Sequence, residues 1–220
     1  MTKSKTKKIA LLSVMLALVI IFCFVPISFG TVTLALMILP VLVIAQIEDF
    51  ATTLILSVLM GVVNEIAWYT TKAGAVLAPV FQNPLVCIVP RILIGVIAWL
   101  VTHFGRKWFV KETMAPSAKI AVEQVISAVS AALGVLVNTG FVGLFTVLLF
   151  NNQTLSNGTA VSIEYILGWF SINFVIEIIS FAILTPPIAF ALTKAGFGAN
   201  KIDKNKILEE KVDNQSEEEE

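Results

Sequence analysis

The sequence predicts an all-α membrane protein built as a bundle of six transmembrane helices. Hydrophobic residues make up 57% of the 220 residues, and charged residues make up 14%, against about 25% in ordinary soluble domains. The mean hydropathy is +0.91. A soluble protein of this size cannot hide so many apolar side chains, so lipid must cover part of them. The apolar residues fall into six runs, each treated below as one helix.

Three runs predict the N-terminal half of the bundle, because a spanning helix needs about 20 mostly apolar residues. The first, 9–25, follows four lysines and stops at a proline. No small-x-small cleavage site followed by a soluble domain appears, and further apolar runs follow at once. We therefore interpret this run as a retained helix and not a signal peptide. The second, 31–47, ends at the acidic pair Glu48-Asp49. The third, 51–69, precedes a loop that contains lysine and glycine.

Three further runs complete the predicted membrane domain, which covers residues 1–193. The fourth run, 84–102, is interrupted by a proline-arginine pair. The fifth, 120–150, is long enough to tilt or to project beyond the bilayer. The sixth, 163–192, follows a polar loop and carries two prolines near its end. Residues 194–220 are charged and end in four glutamates, which predicts a disordered tail.

The basic residues predict that both termini lie in the cytoplasm, because lysine and arginine are enriched in cytoplasmic loops. Thirteen of them fall on one side of the predicted bundle: before the first helix, between the fourth and fifth helices, and in the tail. The opposite loops contain only Lys72, and Arg91 lies within a helix. The protein is therefore expected in the plasma membrane with the Lys72 side outside.

Polar side chains inside these runs must face protein or water, because lipid solvates them poorly. Arg91, Asn138 and Glu177 are predicted at similar depths on helices four, five and six. Asn173 precedes Glu177 by one turn, so both lie on one helical face. Aromatic residues, Phe81 among them, gather toward the outer side. A polar centre below an aromatic mouth predicts a site for a small, partly polar ligand. The other predicted members of this site are Glu65, Asn83, Trp68, Tyr69, Tyr165 and Trp169.

Each of these groups also has a purely structural interpretation. Arg91 can pair with Glu177 or Glu65 as a lock between helices. Asn138 can form a hydrogen bond between helices, as polar residues in helix bundles often do. The aromatic residues can form an interfacial belt. The sequence leaves these alternatives open.

Signatures of catalysis are missing from the sequence. It contains no G-x-x-x-x-G-K-[ST], H-E-x-x-H or G-x-S-x-G motif. Its single histidine, His103, lies among basic residues, where contact with lipid headgroups is expected. Cys23 and Cys87 lie in apolar runs and form no disulfide or metal pattern. We therefore expect no enzyme, cofactor or metal, and favour a binding subunit that takes its energy from partners. A stand-alone secondary transporter with Glu65 or Glu177 as its proton or sodium site is the alternative.

Four segments resemble the substrate-binding S components of energy-coupling factor (ECF) transporters. They are TLALMILPVLVIAQ (33–46), NPLVCIVPRILIGVIAWLV (83–101), LGVLVNTGFVGL (133–144) and NFVIEIISFAILTPPIAFAL (173–192). Within that family, PRILIG and NTG are most similar to the pantothenate-type branch.

The resemblance implies a six-helix subunit in the lipid bilayer that binds a vitamin from outside, with pantothenate as the first candidate. Its partners would be a transmembrane coupling subunit and two cytoplasmic ATPases, with no nucleic acid. The pocket would lie between helices four to six and the loops near Ser28, 70–82 and 151–159. Arg91 would be the partner of a ligand carboxylate, because a guanidinium can donate two parallel hydrogen bonds to it.

The resemblance also implies that the coupling subunit docks on the first helix through small residues at four-residue spacing, which let helices approach closely. Ser13 and Ala17 keep this spacing. Ala10 is a further small residue, but Val14 follows it where another small residue is expected.

Overall fold

A computed structural model describes residues 3–25, 27–29, 32–111, 113–155 and 157–198. Within these ranges the chain forms eight helices and one β-hairpin. In chain order they are α1 (Lys3–Phe24), β1 (Ile27–Phe29), β2 (Val32–Leu34), α2 (Ile38–Ile47), α3 (Phe50–Tyr69), α4 (Ala78–Phe81), α5 (Pro84–Cys87), α6 (Val89–Phe109), α7 (Pro116–Phe150) and α8 (Ile163–Lys194). The predicted tail lies outside the described residues from residue 199 onward.

Five helices in the described part of the chain are long and apolar enough to cross a membrane. They span Lys5–Phe24, Phe50–Tyr69, Pro84–Phe109, Pro116–Phe150 and Asn173–Lys194. Their outward surfaces are apolar: the side chains of Val125, Leu148 and Ile183 are 63%, 67% and 65% exposed. Such surfaces suit lipid and not water. The helical fold class is thus confirmed, and the structure indicates a membrane-embedded protein.

The predicted helix over 31–47 is wrong in its first part. Residues 27–29 and 32–34 pair as antiparallel strands, with Ile27 opposite Leu34 and Phe29 opposite Val32. Short apolar runs do not distinguish strand from helix by hydropathy alone, and the β-branched Val and Thr residues here favour a strand. The helix α2 that follows has ten residues and is about 15 Å long. It is too short to cross a membrane, so a sixth spanning helix is not confirmed.

Helix α2 forms the centre of the bundle. Nine of its ten residues are buried, and it packs against α1, α3, α6, α7 and α8. Because every side of α2 meets protein, its hydrophobic sequence reflects burial in a core as well as the membrane environment. The main hydrophobic core is built around it.

Glycines bring the surrounding helices close together. A Cβ on Gly95 of α6 would overlap the Ser57 hydroxyl of α3. On the other side of α6, Gly134 of α7 lies against Ile94, and Gly105 of α6 lies against Ile126 of α7. The last two contacts show that α6 and α7 run antiparallel. These approaches fix the relative heights of the residues on α3, α6 and α7.

The two ends of the bundle differ in chemistry. One end, here named the terminal end, carries the start of α1, the α2–α3 corner and the end of α8. There Lys8 contacts both Glu48 and Asp49, and Arg106 Nη1 donates a 2.6 Å hydrogen bond to the Gln46 carbonyl. The opposite end, named the loop end, carries the hairpin, residues 70–83 and residues 151–162.

Candidate ligand-binding site

Arg91 and Asn138 lie at the same depth on neighbouring helices. Their heights follow from the contact between Ile94 of α6 and Gly134 of α7. Arg91 is three residues from Ile94 toward the loop end, and Asn138 is four residues from Gly134 in the same direction. With a rise of about 1.5 Å per residue, both side chains lie about 5 Å beyond that contact. The structure therefore places Arg91 and Asn138 at similar depths, as the sequence predicted.

Arg91 is a buried cation that makes one hydrogen bond to the residues that the structure describes. Its side chain is only 6% exposed. Nη1 donates a 2.9 Å hydrogen bond to the Val86 carbonyl, and the guanidinium carbon lies 5.5 Å from the centre of the Phe81 ring. The buried Nε has no partner among the residues that the structure describes. A guanidinium has five N–H donors, so Arg91 can still bind an anion.

The structural lock between Arg91 and a glutamate, one alternative that the sequence left open, is not formed among the described residues. All ion pairs in the described ranges involve Lys8, and neither Glu177 nor Glu65 is paired with Arg91. Glu177 and Arg91 nevertheless lie within each other's electrostatic influence. Arg91 is therefore not neutralised by direct contact with a carboxylate among the described residues.

Glu177 connects α8 to the end of the hairpin. Glu177 is 8% exposed, and its Oε1 accepts a 3.1 Å hydrogen bond from the Ala35 backbone N–H. Asn173, one turn away on α8, is partly buried. Glu177 thus has a structural contact with Ala35, whereas the structural role considered from the sequence was pairing with Arg91.

Two buried asparagines offer acceptor atoms to this region. Asn138 is 7% exposed and Asn64 is fully buried. Asn64 Nδ2 lies 3.1 Å from the Cys87 sulfur. In the described residues, the Oδ1 atoms of both asparagines are buried without a hydrogen-bond donor. A ligand that carries hydroxyl or amide N–H groups can supply those donors.

The prediction chose Glu65 on α3, but the structure buries its neighbour Asn64 instead. The buried face of α3 includes Ser57, Met60, Asn64 and Ala67, which follow helical spacing. Glu65 lies beside this face and is only partly buried. The helical spacing of the small and apolar residues on α3 predicts that Asn64 faces inward. Glu65 was predicted instead because its side chain is ionisable.

Aromatic rings cover Arg91 on its loop-end side. Trp68 and Phe81 stack with ring centres 4.6 Å apart and planes 9° from parallel. Lys72 Nζ lies 5.3 Å from the Trp68 ring. Trp68 Nε1 is buried and has no partner within the described part of the chain. Lys72, Trp68, Phe81 and Arg91 therefore form a continuous series, which we name the cation–aromatic stack.

The two long loops at the loop end pack together over the site. Their apolar side chains form one cluster with residues of α7 and α8, whose buried members are Leu77, Val80, Phe81, Val86, Val142, Leu155, Val161 and Ile166. A cavity of about 10 Å³ lies within this cluster, where Thr146 and Tyr165 also line it, and its lining includes none of the buried Arg91, Asn64 and Asn138. This volume suits about one water molecule, whereas drug-sized ligands occupy about 300–1,000 Å³. The conformation is closed, so a larger ligand needs the loops to move.

Several predicted site residues lie elsewhere. Tyr69 is 58% exposed, and its hydroxyl donates a 2.9 Å hydrogen bond to the Gln82 carbonyl. Asn83 caps α5, because its Oδ1 accepts a hydrogen bond from the Leu85 N–H. Both residues shape the loop without reaching the buried polar groups. The side chains of Trp169 and Ser28 are not described. The backbone of Ser28 lies in β1 and pairs with Thr33, where the sequence predicted a loop.

The predicted docking residues share an exposed surface of α1. Ala10, Ser13 and Ala17 are all exposed, and the Ser13 hydroxyl donates to the Ile9 carbonyl within the helix. Their exposure leaves them accessible to a partner, and docking itself stays a prediction.

Comparisons with protein-family models and with curated proteins find no match to this chain. Nor do three or more His, Cys, Asp or Glu side chains within the described ranges come together as a possible metal site. The buried polar groups of this region are a cation, Arg91, and two acceptor oxygens without a donor in the described structure, beside an aromatic cover.

Proposed function

We propose that this protein is the substrate-binding S component of an ECF-type importer and captures a small vitamin carboxylate, with pantothenate as the first candidate. The observation that carries the proposal is Arg91, which is buried with an unpartnered Nε. Removing a cation from water costs several kcal/mol unless partners replace the lost hydration. Ionisable groups at such depth in a membrane protein usually serve a ligand or an ion.

The polarity of the surrounding groups favours one orientation of the ligand. A carboxylate would lie against Arg91, where charge-assisted hydrogen bonds are strongest. Hydroxyl and amide N–H groups of the same molecule would reach Asn138 Oδ1 and Asn64 Oδ1, which lack donors in the described structure. Pantothenate carries a carboxylate, an amide and two hydroxyls, so its chemistry matches these groups.

Transport would begin at the loop end, which faces outside if both termini are cytoplasmic. The ligand would bind while the loops are apart, and their apolar cluster would then close over it. A ligand shifts this equilibrium only through its higher affinity for one state. Hydrolysis of ATP would occur on two partner ATPases, through a coupling subunit docked on Ala10, Ser13 and Ala17 of α1.

A second function is favoured by Glu177, a buried carboxylate with one hydrogen bond, from Ala35. Such a group can serve as a proton or sodium site in a stand-alone secondary transporter. That function requires uptake into liposomes without any partner subunit, driven by an ion gradient. The S component requires partner ATPases and ATP for the same uptake.

The decisive experiment measures thermal stabilisation of the purified protein in detergent by a panel of water-soluble vitamins. Wild type is compared with Arg91→Gln and with Arg106→Gln, a matched control in which a partly buried arginine is lost at the terminal end. At a concentration about a hundredfold above Kd, a ligand stabilises its protein by about 2.7 kcal/mol.

We expect pantothenate to raise the melting temperature of wild type and of Arg106→Gln, and to leave Arg91→Gln unchanged. A response to a different vitamin carboxylate would retain the function and replace the ligand. Folded wild-type protein that responds to no vitamin would refute the proposal, as would Arg91→Gln protein that responds like wild type.

A further inference from the structure

Lys72 is a cation at the loop end without a counter-ion. It lies between α3 and α4, outside the long apolar helices, and is partly buried. Its ammonium group has no hydrogen bond or ion pair with any residue that the structure describes, and its contact is with the face of Trp68. Burial lowers the pKa of Lys72, and the charge of Arg91 acts in the same direction.

The cation–aromatic stack connects Lys72 to Arg91. Lys72 Nζ lies 5.3 Å from the centre of the Trp68 ring, the Trp68 and Phe81 ring centres are 4.6 Å apart, and the guanidinium carbon of Arg91 lies 5.5 Å from the Phe81 ring centre. The two charges are therefore no more than about 15 Å apart. Two like charges at this separation in partly buried surroundings repel each other, and an anion placed near both relieves that repulsion. The stack therefore marks a route along which positive potential extends from the loop surface to the buried guanidinium.

The carboxylates near this end do not neutralise Lys72. Glu65 lies at the end of α3 and Glu164 at the start of α8, and neither is paired with it. In the sequence, Lys72 is also the single lysine or arginine in the loops of this end. One substitution can therefore remove the whole attractive charge at the loop surface.

We propose that Lys72 makes the first contact with the anionic ligand and speeds its capture, before the carboxylate reaches Arg91. This inference rests on the proposed function, because it concerns the same carboxylate ligand. The role is kinetic: Lys72 raises the association rate constant, whereas Arg91 holds the bound ligand. Charges at the rim of a binding site typically control association and its salt dependence, while buried charge pairs control dissociation.

Stopped-flow binding of pantothenate to the full-length protein in detergent tests this assignment. The variants are Lys72→Gln, Lys72→Arg and Lys107→Gln, the last a matched control at the terminal end of α6, where Lys107 is exposed. At low ionic strength we expect Lys72→Gln to lower the association rate constant about three- to tenfold. Lys72→Arg and Lys107→Gln should stay near the wild-type value, and dissociation should change little in any of them.

The difference in association rate between wild type and Lys72→Gln should shrink at high salt. Dissolved ions largely screen the attraction between surface charges that are more than about 10 Å apart at 0.1 M. An unchanged association rate in Lys72→Gln at low salt would overturn the inference, and so would a loss expressed only as faster dissociation. Failure of the proposed function is recognised separately, since wild-type protein would then not bind pantothenate or any other vitamin carboxylate.

Discussion

The contact between α3 and α6 gives a prediction whose size follows directly from the structure. An alanine Cβ at position 95 would overlap Ser57 Oγ and lie 3.1 Å from Ser57 Cβ and 3.2 Å from Thr53 Cγ2. Rotating the Ser57 hydroxyl away would break its 2.7 Å hydrogen bond to the Thr53 carbonyl and still leave the short Cβ contact. The helices must therefore separate, and overpacking of this kind costs about 1–3 kcal/mol.

We expect Gly95→Ala to lower the free energy of unfolding by that amount, measured by denaturant unfolding in detergent. Gly140→Ala is the matched control, because a Cβ at position 140 of α7 has no neighbour within 4 Å. Alanine is favoured over glycine in a helix by about 1 kcal/mol, so this variant should be as stable as wild type or more stable.

Exchanging the two small residues separates the contact from other effects. In Ser57→Gly/Gly95→Ala the new Cβ takes the space that the serine side chain leaves, so much of the lost stability should return. Because Arg91 lies one turn from Gly95 on α6, Gly95→Ala should also weaken pantothenate binding, and the exchange should restore it. Wild-type stability in Gly95→Ala would refute the packing argument.

Three further predictions concern single groups. Arg91→Lys keeps the charge but loses the planar donor pair, so we expect its affinity for pantothenate, measured by calorimetry, to be lower than that of wild type by about tenfold or more. Equal affinity would argue against a paired carboxylate contact. Asn138→Leu should weaken binding without lowering the melting temperature of the free protein, because Oδ1 has no donor within the described structure to lose; a marked fall in melting temperature would show a structural role. The pKa of Asp49 offers a pH test: burial raises it, but hydrogen bonds from Lys8 and Thr52 outweigh burial and lower it overall. Its stabilisation is thus present above its unfolded pKa of about 3.9 and is lost as pH falls through the lower folded value. Melting temperatures of wild type and Asp49→Asn should converge in that acidic range, and a constant difference would contradict the assignment.

The long helices could be predicted from the sequence because lipid imposes a strong and simple requirement on them. A run such as 51–69 must be apolar over a full membrane span, and the structure has α3 at Phe50–Tyr69. The run 31–47 met the same hydropathy criterion for a different reason. Its second half is apolar because protein surrounds α2 on every side, and hydropathy does not distinguish a protein environment from lipid.

The sequence predicts how deep each site residue lies along its helix. It does not predict which way that residue faces around the helix axis. The depths of Arg91 and Asn138 follow from their positions in the apolar runs. Whether Asn64 or Glu65 faces inward depends on one 100° step around α3, which the contact with Cys87 settles. The Trp68–Phe81 stack joins α3 to a short helix, and only the folded loop brings these rings together.

Glu177 distinguishes the two candidate functions, because its charge and its hydrogen bond can be removed separately. Glu177→Gln keeps a side-chain oxygen that can accept from the Ala35 N–H but removes the negative charge. In an S component this variant should bind pantothenate as well as wild type or more tightly, since a negative charge near the carboxylate is gone. In an ion-coupled transporter the same variant should abolish uptake driven by an ion gradient, because no protonatable group is left.

Glu177→Leu provides the structural control, since it removes the charge and the hydrogen bond together. We expect it to lower stability by about 1 kcal/mol or more, because the Ala35 N–H loses its acceptor, and to weaken binding through the loosened hairpin. Binding retained in Glu177→Gln and weakened in Glu177→Leu would mean that Glu177 acts by holding the hairpin against α8. If wild-type protein without partner subunits shows uptake driven by an ion gradient, and Glu177→Gln does not, the carboxylate itself carries the coupling ion. The S-component function would then have to be abandoned.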